Sequence, residues 1–520
     1  MSKVCFPSTA IFDCDFHMAT LSQYFLSSIV AFILYRWVQF HRTKAKIDSI
    51  PTLGSNNFVG AYIDGWRFLF KGHEIVKEGY KKYHGNVFKI STPNTSSGWT
   101  IVVSGAALHD DLRKAPSEIL DMQATTTDVL QTEYLFGPHA HINEFQIAVV
   151  RTPLTRAMAG GFGELTDEIV DACSTYLPKG DDWEVLPRTH EKLVHVICRT
   201  ANRLFVGLPV CRDPEYLKVQ EEWTIHTFLD ATILHLLPSF VKPVVGPLMS
   251  KIHPSLKTVT KVLGPIIQER IDKDAKYGSD WEGRPSDLIS WLLDYAPPEF
   301  KTVEDMVVRI MFVNAAAIHT STMGLSAVLF DLAAHREYIE PLRKEIEETT
   351  RKLGWTKEAM VQMHKLDSFI KESFRLSGMA GVTGMRKAMK EFTFSNGVKV
   401  PPGYTIGVAS CGVHADPEIY EDPESFDGYR FFKSEETAWK NQAVVLDPTF
   451  VLFGLGRHAC PGRFFAVNEV KAVVSHVLLN YDIKLPGDAT QVMPGIWFAS
   501  TRSPNPKAEI LFRKRRLDGA

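Results

Sequence analysis

Cys460 sits near the end of a 520-residue chain, in Phe453-Gly-Leu-Gly-Arg-His-Ala-Cys460-Pro-Gly462. Glycines at 454, 456 and 462 allow a tight turn in which backbone N–H groups point at one sulfur. A thiolate held this way is a strong ligand for iron. Pro461 suits a helix start, and the positive end of that helix would face the sulfur. A second reactive segment is Asn314-Ala-Ala-Ala-Ile-His319-Thr320-Ser-Thr322. Its small residues at 315–317 let other groups approach the backbone. Histidine moves protons near neutral pH, and Thr320 adds a hydroxyl beside it. A third is Lys371-Glu372-Ser-Phe-Arg375, where Glu372 and Arg375 share one helical face and can pair.

The Cys460 segment resembles the haem-binding loop of the cytochrome P450 monooxygenases, Phe-Gly-x-Gly-x-(Arg/His)-x-Cys-x-Gly. The resemblance runs over roughly residues 50–512 and includes Phe426-Asp-Gly-Tyr-Arg430-Phe, His335-Arg-Glu-Tyr-Ile-Glu-Pro-Leu-Arg343 and His414-Ala-Asp-Pro417. It implies a haem b whose iron takes the Cys460 thiolate, with Phe453, Gly454, Gly456 and Gly462 shaping the loop. It implies a buried network of Glu372, Arg375 and Arg430, complete only when every charge is paired. The haem propionates need cationic partners, for which the resemblance offers His458, Arg386 and Arg151. The family has Trp four residues before that last Arg. Ile147 stands there instead, and Arg156 competes for the role.

Around Thr320 the family usually carries Ala/Gly-Gly-x-Asp/Glu-Thr. Here Ala317 replaces the Gly and His319 the acid, as in some fungal members of terpenoid pathways. His319 either relays protons with Thr320 or only hydrogen-bonds within its helix. By position, the substrate walls are Val313, Asn314, Ala317, Ala380, Gly381, Val382, Thr383, Trp497 and Phe498. They are mostly apolar, which suits a bulky lipophilic substrate such as a terpenoid.

These segments need a scaffold. Helical periodicity covers 164–177, 190–206, 215–236, 255–276, 302–334, 336–352, 364–377 and 461–481. Strand signals lie at 87–90 and 100–103, with short strands between 380 and 410 and after 482. The fold class is mainly α with a small β part, the cytochrome P450 fold. Residues 18–40 read as a transmembrane anchor. Basic residues from Arg36 to Lys46 follow it and keep the body cytosolic. Residues 1–17 read as a lumenal extension, 41–60 as a linker and 61–520 as the monooxygenase domain. The expected location is a single-pass anchor in the endoplasmic reticulum. The apolar, proline-broken stretch 233–243 reads as a further contact with the membrane surface.

The chain is 45% hydrophobic, with a formal net charge of -2. That balance points to no nucleic-acid partner, and the basic tail Arg513–Arg516 reads as a solvated terminus. Seven widely spaced cysteines argue against a disulfide framework or a zinc site. With no flavin or nucleotide motif in the chain, the resemblance implies O2 as co-substrate and electrons from a separate NADPH-cytochrome P450 reductase. Two other readings are a reductase-independent isomerase or dehydratase of the same fold, and a non-catalytic haem-binding sensor.

Overall fold

The computed structural model describes residues 10–136, 143–250 and 252–516. One long helix organises it, Val303–Ala334. Thr302 caps its start by accepting the Asp305 N–H at 3.2 Å. Glu304 and Asp305 in the first turn complement the helix dipole. Ile310, Ile318, Leu325 and Leu332 are fully buried. Around this central helix pack Thr189–Phe205, Pro214–Leu236, Ile252–Tyr277, His364–Ser377 and Arg463–Asn480. Their apolar faces merge into one helical core.

A five-stranded sheet builds a second core. In spatial order its strands are Val87–Ser91, Trp99–Val103, Thr405–Val408, Thr383–Ala388 and Leu120–Asp121. The second and third run parallel and the other neighbours antiparallel. A hairpin, Ile496–Phe498 and Thr501–Ser503, adds a small separate sheet. The helical and strand segments expected from periodicity are all present, with ends displaced by at most three residues.

The N-terminal region differs from expectation. A continuous helix, Ala10–Lys46, runs through the expected anchor and into the expected linker, and Phe58–Lys82 follows closely. The connection is fastened down. Lys89 Nζ donates to the carbonyls of Ile47 and Ile50 at 2.7 Å each, and Leu53 N–H donates to the Lys89 carbonyl at 3.0 Å. Residues 1–9 of the expected lumenal extension lie outside the described residues. By length and hydropathy, one helix among the described residues could cross a membrane, and it is the central helix, whose apolar window is mostly buried. The basic tail is also more structured than expected. Arg513 lies in the strand Ile510–Lys514 and pairs with Asp482 at 2.7 Å, while Arg515 donates to the Leu479 carbonyl at 2.9 Å.

Candidate active site

The Cys460 loop closes on itself: Cys460 N–H donates to the Phe453 carbonyl at 2.8 Å. Gly454 and Gly456 take the left-handed conformation, φ 69° and 68°. A Cβ on Gly456 would lie 2.8 Å from the Arg113 carbonyl oxygen. Gly462 departs from expectation, since its φ of -87° is open to any residue. It contributes its N–H instead. The amides of Gly462 and Arg463, at the start of Arg463–Asn480, lie on the side of the Cys460 sulfur and favour its negative charge. Burial pushes the thiol up, while these two amides and the Arg463 guanidinium favour the thiolate.

A cluster of cations lies beside the loop. Arg386 is 2% exposed and donates to the Leu455 carbonyl at 3.1 Å, yet its Nε has no partner. Burial, then the charge of Arg457, hold its pKa down to about 10. His458 is pulled below its usual value by burial first, then by Arg386, Arg457 and Arg151. Arg151 Nη2 reaches the Arg457 carbonyl at 3.2 Å. Both Arg151 and Arg156 are exposed, and of the two it is Arg151 that contacts the loop. Arg151, Gly456, Arg457 and Arg463 also line a cavity of about 250 Å³. A buried cation with an unpartnered N–H is costly, so Arg386, with Arg151, Arg457 and His458 beside it, fits the two carboxylates that a haem carries.

Behind the loop, both Glu372 oxygens accept from Arg375 at 2.8 Å, and Oε1 also accepts from Arg430 at 3.0 Å. Arg375 donates onward to the Pro423 carbonyl at 2.7 Å and Arg430 to the Glu421 carbonyl at 2.6 Å. The ring of Phe374, on the same helix, meets Phe453 edge-on with centroids 6.4 Å apart.

On the central helix, Ala316 and Thr320 are exposed one turn apart, although Ile318, Ser321 and Thr322 around them are buried. A helix walled in by others can expose such a pair only into an internal space. The Thr320 hydroxyl donates to the Ala316 carbonyl at 2.6 Å. His319 points elsewhere. Its Nε2 bonds to the Glu221 carbonyl of Pro214–Leu236 at 2.8 Å, and burial lowers its pKa.

The expected substrate walls divide. Phe498 is 43% exposed, and Trp497 stacks on His73 with centroids 4.2 Å apart. Gly381 N–H bonds to the Ser500 carbonyl at 2.5 Å, tying the 380–383 segment to the hairpin. Val382 is buried against the sheet core and Val313 within the helical core. Ala317 packs against the helical core, and Ala316 takes the exposed place. Asn314 is held in a polar contact between helices. It is fully buried, its side-chain oxygen accepting from Asn202 at 2.8 Å and its nitrogen donating to the Ile310 carbonyl at 3.1 Å. Thr383 donates to the Val451 carbonyl at 3.0 Å.

Two features escaped sequence reasoning. Phe312 joins Phe136 and Trp223 in an aromatic cluster, with centroids 5.0 to 6.3 Å apart. Glu469 is fully buried on the helix that follows Cys460. It accepts from Thr200 at 2.8 Å, and burial pushes its pKa up to about 8. The signal for it was an acid inside the mostly apolar helix segment Phe465–Val474, beside Asn468 and Lys471.

The family model for cytochrome P450 matches residues 165–512. The chain belongs to the cytochrome P450 family. It is 37% identical over 498 residues to cytochrome P450 monooxygenase 151 of Postia placenta, covering 95% of this chain and 98% of that one. It is 32% identical over 478 residues to cytochrome P450 monooxygenase olcJ of Penicillium canescens, covering 88% and 86%. The fold is similar to retinoic acid bound cyanobacterial CYP120A1, with a TM-score of 0.65, 20% identity, and 90% and 98% of the two chains covered. As a P450 monooxygenase the protein uses O2, a redox partner and a haem whose iron takes a cysteine thiolate; the Cys460 loop has the surroundings that suit such a ligand. The bound haem supplies the oxygen chemistry. The protein's own part is to present the sulfur, neutralise the propionates and shape the space above.

Proposed function

We propose that this P450 is a membrane-anchored enzyme that hydroxylates, or repeatedly oxidises, a bulky lipophilic substrate, a terpenoid of fungal secondary metabolism. Electrons come from NADPH through a separate NADPH-cytochrome P450 reductase. The observation that carries the reading is the join between a buried thiolate loop and an apolar exterior. The N-terminal helix exposes Leu26, Val30, Ile33, Leu34 and Trp37. Phe58–Lys82 exposes Val59, Ile63, Trp66 and Phe70, and the region after 225 adds Phe240, Val244 and Leu248. Exposed apolar surface of this extent is characteristic of an interaction or membrane face. It gives a lipid-soluble substrate a route in from the bilayer, with the endoplasmic reticulum as the site and the catalytic body cytosolic.

Within the site, Arg386, His458 and Arg151 hold the propionates, and the amides of Gly462 and Arg463 hold the sulfur. Thr320 positions a proton donor at the exposed face of the central helix. Glu469, largely protonated at neutral pH, stores a proton one residue from Thr320, beside Ser321. Phe312, Phe136, Trp223 and Phe498 exclude water and orient the substrate.

Co-expression with a fungal reductase, while feeding a panel of terpene precursors, tests the reading. The expected result is an oxygenated product that requires NADPH and a microsomal fraction that keeps the enzyme after a high-salt wash. Turnover without NADPH, or enzyme that washes off freely, would overturn it.

A further inference from the structure

A cavity of about 140 Å³ lies beyond Thr320, between the central helix, the end of His364–Ser377 and the base of the C-terminal hairpin. Eleven residues at about 100° each bring Asp331 back to within about 20° of the Thr320 direction. The two therefore share a stripe, about 16 Å apart along the axis. The apolar walls are Met323, Ala327, Phe330, Leu376, Met379 and Val492. Two ionisable side chains interrupt them, Asp331 and Arg502. Arg502 donates to the Ser377 carbonyl at 2.5 Å, and no ion pair is formed by its guanidinium among the described residues. Asp331 and Arg502 influence one another electrostatically across the space without closing into a salt bridge.

We propose that this cavity is a second ligand site, separate from the Thr320 face, and that it takes a compact lipophilic monocarboxylate seated between Arg502 and Asp331. The site goes beyond the proposed monooxygenase reaction and does not depend on its substrate. A guanidinium presents forked donors that match a carboxylate. Asp331, in its acid form, donates to the ligand's other oxygen, so that two carboxyl groups share one proton. Burial raises the Asp331 pKa to about 7, which makes that form available at neutral pH. The other charge facing it is Glu372, from His364–Ser377, already committed to Arg375 and Arg430. Thioethers from Met323 and Met379 fit an irregular apolar body. Apolar cavities of this order of size hold a single benzene ring. Arg502 stands opposite Trp497 in the hairpin register, so an occupant touches the strand pair that carries Trp497 and Phe498.

The test is para-fluorobenzoate binding to the full-length, haem-loaded protein in detergent, read by fluorine NMR. A ferrous–carbon monoxide spectrum on the same sample verifies the haem site independently. The expected result is saturable binding, about tenfold tighter at pH 6 than at pH 8 because one carboxyl must be protonated. Asp331→Asn should keep the binding and lose its pH dependence. Arg502→Gln should abolish binding, and Ala327→Trp, which fills the cavity without touching a charge, should do the same. No saturable binding, parental affinity retained in either the Arg502 or the Ala327 variant, or a Soret shift on binding that places the probe at the iron would overturn the proposal.

Discussion

His319 and Thr320 are adjacent in sequence and serve different neighbours: His319 Nε2 bonds to the Glu221 carbonyl at 2.8 Å, whereas Thr320 Oγ1 bonds to the Ala316 carbonyl at 2.6 Å. One step along a helix turns a side chain by about 100°, so the pair does not act as a single acid–alcohol unit here. Thr320→Ala should divert reducing equivalents to peroxide and lower product per NADPH consumed. His319→Ala should leave that ratio near wild type and cost about 1 kcal/mol of stability, the value of one buried hydrogen bond. Product and peroxide yields with any substrate that shifts the spin state, together with thermal melts, separate the two. Equal uncoupling in both variants would restore His319 to the relay.

The Glu372–Arg375–Arg430 network predicts a folding defect. Every oxygen of Glu372 is used, and both arginines continue into backbone carbonyls. Removing one member leaves an unpaired buried charge, which costs about 3–5 kcal/mol. Arg375→Ala is expected to accumulate as haem-free, largely insoluble protein. The ratio of Soret absorbance to protein measures this, and normal haem loading would show that the network is dispensable.

These residues mark what was legible in the sequence. The Cys460 loop, the Glu372–Arg375 spacing and the core helices are local patterns, and periodicity fixes such patterns within a few residues. Asn314 reads in the sequence as pocket lining, a polar residue near small ones. Only the fold reveals Asn202 arriving from another helix to meet it. Glu469 and Phe136 were missed for the same reason, because their roles come from partners 269 and 176 residues away, Thr200 and Phe312. Lys89 carries no sign in the sequence that it fastens the N-terminal helix to the sheet.

Glu469 predicts a pH dependence of stability. Burial raises its carboxyl to about 8, against about 4.3 in an unfolded chain. Between those values the folded protein keeps a proton that the unfolded chain has released. Stability is therefore full at the acidic end and declines as pH rises towards 8. Asp331 and Glu144, both raised to about 7 mainly by burial, act in the same direction. Buried neutral histidines such as His414, held near 3, act oppositely at lower pH, and comparison of variant with parent cancels them. Glu469→Gln should match the parent near pH 5 and melt higher at pH 8. A constant difference in melting temperature across that range would contradict the assignment.

The loop glycines give a paired prediction from backbone geometry. Gly456 is left-handed at φ 68°, and a Cβ there would lie 2.8 Å from both the carbonyl oxygen and Cγ of Arg113. The carbonyl cannot yield without moving the helix Ala106–Lys114 that carries it. Gly462, at φ -87°, would place a Cβ 3.5 Å from Val150 Cγ1, an ordinary contact. Gly456→Ala should therefore cost at least about 1–3 kcal/mol for the forced backbone conformation and reduce haem retention. Gly462→Ala should fold and bind haem near wild-type levels, because the N–H that faces the sulfur survives the change. Haem titration of the two variants, with the carbon monoxide complex read for each, checks the contrast. If Gly462→Ala proves the worse of the pair, the loop is shaped by something other than its backbone angles and the Arg113 contact.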